Sequence, residues 1–121
     1  MTEKHYFADT SFLIDLFKGE EEAIQIMEEA DSIATGSIVL YELAKISNFD
    51  KENIKQNKVF DLSCEDSEIA AEMHRKLSNK GEKIGEIDYL IAAQAKNTGR
   101  KLVTRDQDFQ KLKIQTVDYK L

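Results

Sequence analysis

His5-Tyr6-Phe7-Ala8-Asp9-Thr10-Ser11-Phe12-Leu13-Ile14-Asp15-Leu16-Phe17 changes character at Asp9. The run HYFA before it is short and β-compatible, whereas Ser11 to Phe17 carries its apolar residues at helical spacing. Outward from this stretch the same alternation repeats. Ser32 to Thr35, Lys58 to Leu62 and Lys101 to Thr104 read as further strands, and Ile114 to Val117 as a fifth at the edge. Helices are expected at Glu20 to Ala30, Ile38 to Ser47, Glu65 to Asn79 and Ile87 to Asn97, the last stopping at Thr98-Gly99. Ser63 or Asp66 is the candidate cap of the helix before Asn79. Asn48 to Asn57 is polar enough for a loop or a short surface helix. Strands that alternate with helices predict an α/β fold, with a parallel sheet of about five strands flanked by helices in three layers.

The chain has 121 residues, 41% hydrophobic and 33% charged, which suits one domain over 1–121 with a real core and is too apolar for disorder. Its longest apolar run, Tyr89 to Ala93, is far short of the ~20 residues that span a bilayer. The opening MTEKHYFADTSF meets Asp9, Thr10 and Ser11 before a signal-peptide core can build, so a cytoplasmic location is expected. One cysteine, Cys64, excludes an internal disulfide and, without ligand-spaced neighbours, a zinc site; it reads as a small buried thiol. A formal charge of −6 argues against a broad basic surface for nucleic acid. It does not exclude a nuclease that gathers carboxylates in one place.

In open parallel sheets ligands bind beyond the carboxyl ends of the strands. Asp9 directly follows the first strand, and Asp106 and Asp108 follow the fourth. Glu42 falls about 60° from Val39 on its helix, at the border of the buried face. Asp88 lies in the first turn of IDYLIAAQA, a helix apolar on most sides. Each acid has an ordinary alternative: a helix cap for Asp9, a pair with Lys45 for Glu42, the helix dipole for Asp88, a turn for Asp106 and Asp108. Together, on separate elements at one sheet end, they would repel unless protonated or held by a cation. Oxygen donors without histidine or cysteine favour Mg²⁺ or Mn²⁺ over zinc, and such ions suit phosphodiester hydrolysis.

The blocks Ala8 to Asp15, Ser37 to Ala44, Ile84 to Ala95 and Leu102 to Phe109 resemble, in order, the PIN domain, particularly ribonucleases of the VapC toxin type. The resemblance implies a PIN-like parallel-sheet fold in which Asp9, Glu42, Asp88 and Asp106 are catalytic and bind Mg²⁺ or Mn²⁺, with Asp108 an auxiliary ligand. Thr10, Ser11 and Thr104 would orient the ligands or their water. The implied activity is a metal-dependent endoribonuclease acting on RNA, the toxin of a toxin–antitoxin pair. An antitoxin protein and a second copy of the chain are the expected partners. The alternative is a PIN-fold RNA-processing or scaffold component that binds RNA with little or no catalysis.

Other residues point less far. Ser11 stands where a haloacid-dehalogenase-like phosphatase needs an aspartate, and the acidic pair of a receiver domain is missing. His5 and His74 lack a serine or cysteine nucleophile motif, Gly81 and Gly85 lack phosphate-loop spacing, and Glu86 adds an acid near Asp88. Arg100, Lys101, Arg105, Lys45 and Lys83 are basic residues within reach of an RNA phosphate or simply solvated. Phe12, Leu13, Leu16, Phe17, Ile24, Ile26 and Met27 exceed what a small sheet obviously covers; the face is read as core, with a dimer or antitoxin surface as the alternative.

Overall fold

The computed structural model describes residues 3–46 and 48–121. Met1, Thr2 and Ser47, the last being the expected end of the third helix, lie outside the described residues. The strands are β1 His5–Ala8, β2 Ser32–Gly36, β3 Lys58–Phe60, β4 Lys101–Thr104 and β5 Thr116–Asp118. The helices are α1 Thr10–Phe17, α2 Glu21–Glu29, α3 Ser37–Ala44, α4 Lys51–Lys55, α5 Cys64–Asn79 and α6 Glu86–Asn97, with a 3-10 turn at Gln107–Lys111. All strand pairs are parallel, in the order β3-β2-β1-β4-β5. This is the expected five-stranded parallel sheet flanked by helices. Strand order reverses at β1, so the crossovers move in opposite directions and right-handed connections put helices on both faces.

The register brings the two halves of the chain together at that reversal. Ala8 lies opposite Val103, and the Asp9 N–H continues the ladder onto the Val103 carbonyl at 3.1 Å. Asp9 and Thr104 therefore leave the sheet side by side, although 95 residues separate them. Phe7, Ala8, Leu102 and Val103 are fully buried beneath them. Helix α6 is as enclosed as its composition predicts, with Tyr89, Ile91, Ala92, Ala93, Gln94 and Ala95 all buried.

Local chemistry sets the element ends. Ser63 and Asp66 both cap α5: Ser63 Oγ accepts the Asp66 N–H at 3.0 Å, and Asp66 Oδ2 accepts the Ser63 N–H at 2.9 Å. Gly99, at φ +70°, turns the chain out of α6. Helix α3 stops at Ala44, three residues short of expectation, and Asn48 follows at a positive φ of 67°. Strand β3 is shorter than Lys58–Leu62 because the Leu62 N–H leaves the ladder for the Ser37 hydroxyl, 3.1 Å away. Strand β5 begins two residues later than expected. Cys64 is not a buried thiol: it occupies the first helical position of α5 and is exposed.

The apolar surplus on α1 and α2 divides. Phe12 and Leu13 join the core, whereas Phe17, Ile24 and Met27 are each more than a third exposed. A cavity of about 450 Å³ opens there, lined by Leu13, Leu16, Phe17, Met27, Ile33 and Ile54 among others. None of the five candidate acids lines it. Among the described residues no helix is long and apolar enough to cross a membrane.

Candidate metal centre

Asp9 is 4% exposed and is the most heavily bonded of the candidate acids. As N-cap of α1 it accepts the Thr10 N–H on Oδ1 at 2.7 Å. Its Oδ2 accepts two hydroxyls, from Thr104 at 2.6 Å and Ser11 at 3.1 Å. A carboxylate offers about four acceptor positions, so a lone pair on Oδ1 is left for a further partner. Burial pushes the Asp9 pKa above its ordinary value, against the pull of Thr104, Thr10 and Ser11, and the Glu42 charge adds to the rise.

Thr10 ties two acids together. Its backbone N–H serves Asp9, and its hydroxyl donates to Glu42 Oε1 at 2.6 Å. Glu42 does not pair with Lys45, whose ammonium instead lies 4.8 Å over the Tyr41 ring. Asp106 caps the 3-10 turn, accepting the Asp108 N–H at 2.9 Å, while its own N–H donates to the Thr104 hydroxyl at 3.0 Å. Thr104 thus touches both sides of the centre and is fully buried.

Asp88, in the first turn of α6, reports the presence of the others. Its pKa is pushed up to about 7, first by burial and then by the charges of Asp9, Asp106, Glu42 and Asp108, in that order. The fold therefore brings the five candidate acids into one electrostatic neighbourhood at the carboxyl end of β1 and β4. Among the described residues, however, no three His, Cys, Asp or Glu side chains are gathered closely enough to hold an ion as they stand. Like charges at short range keep their distance. An oxygen-only donor set with more negative charge than its surroundings neutralise fits a hard divalent cation.

Glu86, the sixth acid, turns away. It faces His74 at 3.2 Å, and His74 also packs on the Tyr89 ring at 4.8 Å. Arg100 is committed as well, its Nη1 donating to the Tyr6 carbonyl at 3.2 Å and the Ser32 hydroxyl at 3.0 Å.

Sequence reasoning gave Asp15 and Tyr119 no role and read Arg105 as a phosphate contact or a solvated charge, whereas the three side chains meet. Asp15 is 1% exposed; it accepts Arg105 Nε at 2.7 Å, Arg105 Nη2 at 3.1 Å and the Tyr119 hydroxyl at 2.6 Å. Burial alone would raise the Asp15 pKa, but the hydrogen bonds and charge of Arg105, with the Tyr119 hydroxyl, outweigh it and hold the group below its ordinary value. The available signal was an acid three residues after Phe12, on the side of α1 that enters the core.

The PIN domain family model matches residues 6–115 of the chain. Similar solved structures include VapBC from Salmonella typhimurium bound to DNA, with a TM-score of 0.80 and 24% identity over 97% of this chain and 98% of that one. VapBC2 from Rickettsia felis, bound to a DNA fragment from its promoter, is also 24% identical, with a TM-score of 0.79 over 96% of this chain and 99% of that one. VapC20 of Mycobacterium tuberculosis, a sarcin-ricin loop cleaving toxin, is 18% identical, with a TM-score of 0.70 over 94% of this chain and 99% of that one. At these identities the likeness is one of fold. No curated protein sequence matches the chain.

Proposed function

Since the chain belongs to the PIN-domain family, we propose that it is a Mg²⁺- or Mn²⁺-dependent endoribonuclease that hydrolyses RNA phosphodiester bonds, the toxin of a toxin–antitoxin pair acting in the cytoplasm. The observation that carries this reading is the double engagement of Thr10, which links the buried Asp9 to Glu42 from another helix. Such a tie sets two carboxylates on one locus despite their repulsion, which a shared cation would neutralise.

Asp9, Glu42, Asp88 and Asp106 are the residues that would hold the cation, with Asp108 as an auxiliary. A bound divalent ion supplies activation of a water at neutral pH and neutralises charge on the leaving oxygen. Thr104 and Ser11 fix the orientation of Asp9 by donating to one oxygen. Thr10 fixes Glu42. The Thr104 hydroxyl also receives the Asp106 N–H, so one side chain orients acids from both strands.

The neighbours crystallised as VapBC pairs with DNA support an antitoxin partner for this chain. Phe17, Ile24 and Met27, left on the surface of α1 and α2, are the residues on which an antitoxin helix or a second copy of the chain would rest. The homodimer is checked by sedimentation of the purified chain.

The deciding measurement is a Mg²⁺ and Mn²⁺ titration with a pool of RNA, comparing wild type with Asp9→Asn and mapping the product ends. Cleavage that needs the metal and is lost in the variant supports the enzyme. RNA binding without turnover overturns catalysis and leaves an RNA-processing or scaffold role.

A further inference from the structure

Arg105 stands between Thr104 and Asp106, in the segment that carries two of the candidate ligands, and both its main chain and its side chain reach back to α1. Its N–H donates to the Ser11 hydroxyl at 3.2 Å, and that hydroxyl donates to Asp9. Its guanidinium lays a two-pronged fork on Asp15, with Nε on Oδ2 at 2.7 Å and Nη2 on Oδ1 at 3.1 Å. Asp15 lies six residues after Asp9 on the same helical run, so the fork and the Ser11 contact bind the β4 exit to α1 at two points.

The anchor is rigid. Asp15 is 1% exposed, and the Tyr119 hydroxyl holds the same carboxylate from the C-terminal segment. The Tyr119 ring is fixed in turn, edge-on to Phe12 at 5.9 Å. We propose that Arg105 is a positioning residue, which clamps the segment bearing Asp106 and Asp108 against the helix capped by Asp9 and so sets the spacing of acids across the centre. This inference rests on the reading of those acids as a divalent-cation site.

The competing role for Arg105 is a grip on RNA phosphate, since 42% of its side chain is exposed. The fork decides against it. A planar guanidinium matched to a buried carboxylate is held by two charge-assisted bonds, and swinging it toward substrate would leave the buried Asp15 charge with the neutral Tyr119 hydroxyl in place of a cation. Lysine, a single point donor, cannot reproduce the fork.

The test uses full-length protein, with Mn²⁺ affinity measured by calorimetry, kcat and KM measured on a single-stranded RNA oligonucleotide, and thermal unfolding followed alongside. Arg105→Met, Asp15→Asn and the double variant, which removes both charges and so leaves none unpaired, are compared with Arg105→Lys. Leu77→Ala, a core truncation in α5, calibrates the effect of lost stability alone. The expected result is Mn²⁺ affinity and kcat each reduced by roughly 10–100-fold in Arg105→Met, Asp15→Asn and the double variant, at unchanged KM, with partial recovery in Arg105→Lys.

Two results overturn the proposal while the cation-site reading stands. One is a raised KM in Arg105→Met with wild-type behaviour in Asp15→Asn, the signature of a phosphate grip. The other is a lowered melting temperature with wild-type Mn²⁺ affinity and kcat, as in Leu77→Ala, the signature of a strut alone. A wild-type chain that neither binds Mn²⁺ nor cleaves RNA overturns the reading of the acids and the clamp with it.

Discussion

Thr104 donates its hydroxyl to Oδ2 of Asp9 at 2.6 Å, within a fully buried side chain. The Thr104 Oγ1 in turn accepts the Asp106 N–H at 3.0 Å. Thr104→Val keeps the shape and removes both bonds. Because it strands a buried acceptor and a backbone donor, it is expected to cost about 1–3 kcal/mol in urea unfolding. Mn²⁺ affinity should fall roughly 10–100-fold, since Asp9 and Asp106 both lose their orienting partner. Wild-type affinity in calorimetry would remove Thr104 from the centre.

Asp88→Asn separates activity from stability. The carboxyl of Asp88 is held high, near 7, by burial and by four neighbouring acids, so its charge opposes folding of the metal-free chain. At pH 8 with a chelator, the amide is expected to stabilise the protein by about 1–2 kcal/mol, less than the full shift implies because solvent screens a half-buried group. RNA cleavage with metal should be lost in the same variant. Thermal unfolding reads the first effect and product mapping the second; a destabilised Asp88→Asn would contradict the repulsion.

The Asp15 clamp predicts an acid limit and an alkaline one. Asp15 titrates below its ordinary value of 3.8, so its contribution is fully present above 3.8 and is lost as pH falls through the lower folded value. Tyr119 is shifted upward from 10.0 by burial and by the Asp15 hydrogen bond and charge. Its contribution is present below 10.0 and is lost as pH rises beyond it. Asp15→Asn is expected to flatten the acid arm of a stability profile, and Tyr119→Phe the alkaline arm. Urea midpoints measured across pH 2–11 check both, and unchanged arms would show that the clamp does not couple to folding.

Gly36 reaches the end of β2 in an extended conformation open to any residue, φ −130° and ψ 164°, so its need for glycine is one of space. A Cβ there would overlap the carboxamide of Gln94, which is fully buried and whose Nε2 donates to the Phe60 carbonyl at 3.0 Å. Gly36→Ala should cost about 1–3 kcal/mol by overpacking. In Gln94→Ala the same substitution should cost much less, a coupling that a double-mutant cycle in urea would measure. Additive costs would place the strain elsewhere.

The acids could be found in the chain because of where strands end. Asp9 and Asp106 follow runs whose β character is plain, and parallel strands all finish at one edge. Glu42 and Asp88 were conspicuous as charges on helices that their apolar neighbours bury. Glu86 shows the limit of that logic. It is two residues from Asp88, yet a helix turns residues at that spacing about 200° apart, and it faces His74 instead. Cys64 misled for a similar reason: a residue type that is usually buried sits at an exposed first turn.

Local patterning along the chain was sufficient for the parallel α/β architecture and for the exits of β1 and β4, where Asp9 and Asp106 follow, because hydrophobic periodicity and strand exits are properties of neighbours in sequence. The order β3-β2-β1-β4-β5, the bridge from Thr104 to Asp9 and the fork from Arg105 to Asp15 belong to the folded chain alone. Those contacts join residues 90 and 95 positions apart. Which polar group meets which across such a span is settled by packing, as each buried donor or acceptor takes the partner that the assembled sheet brings within reach.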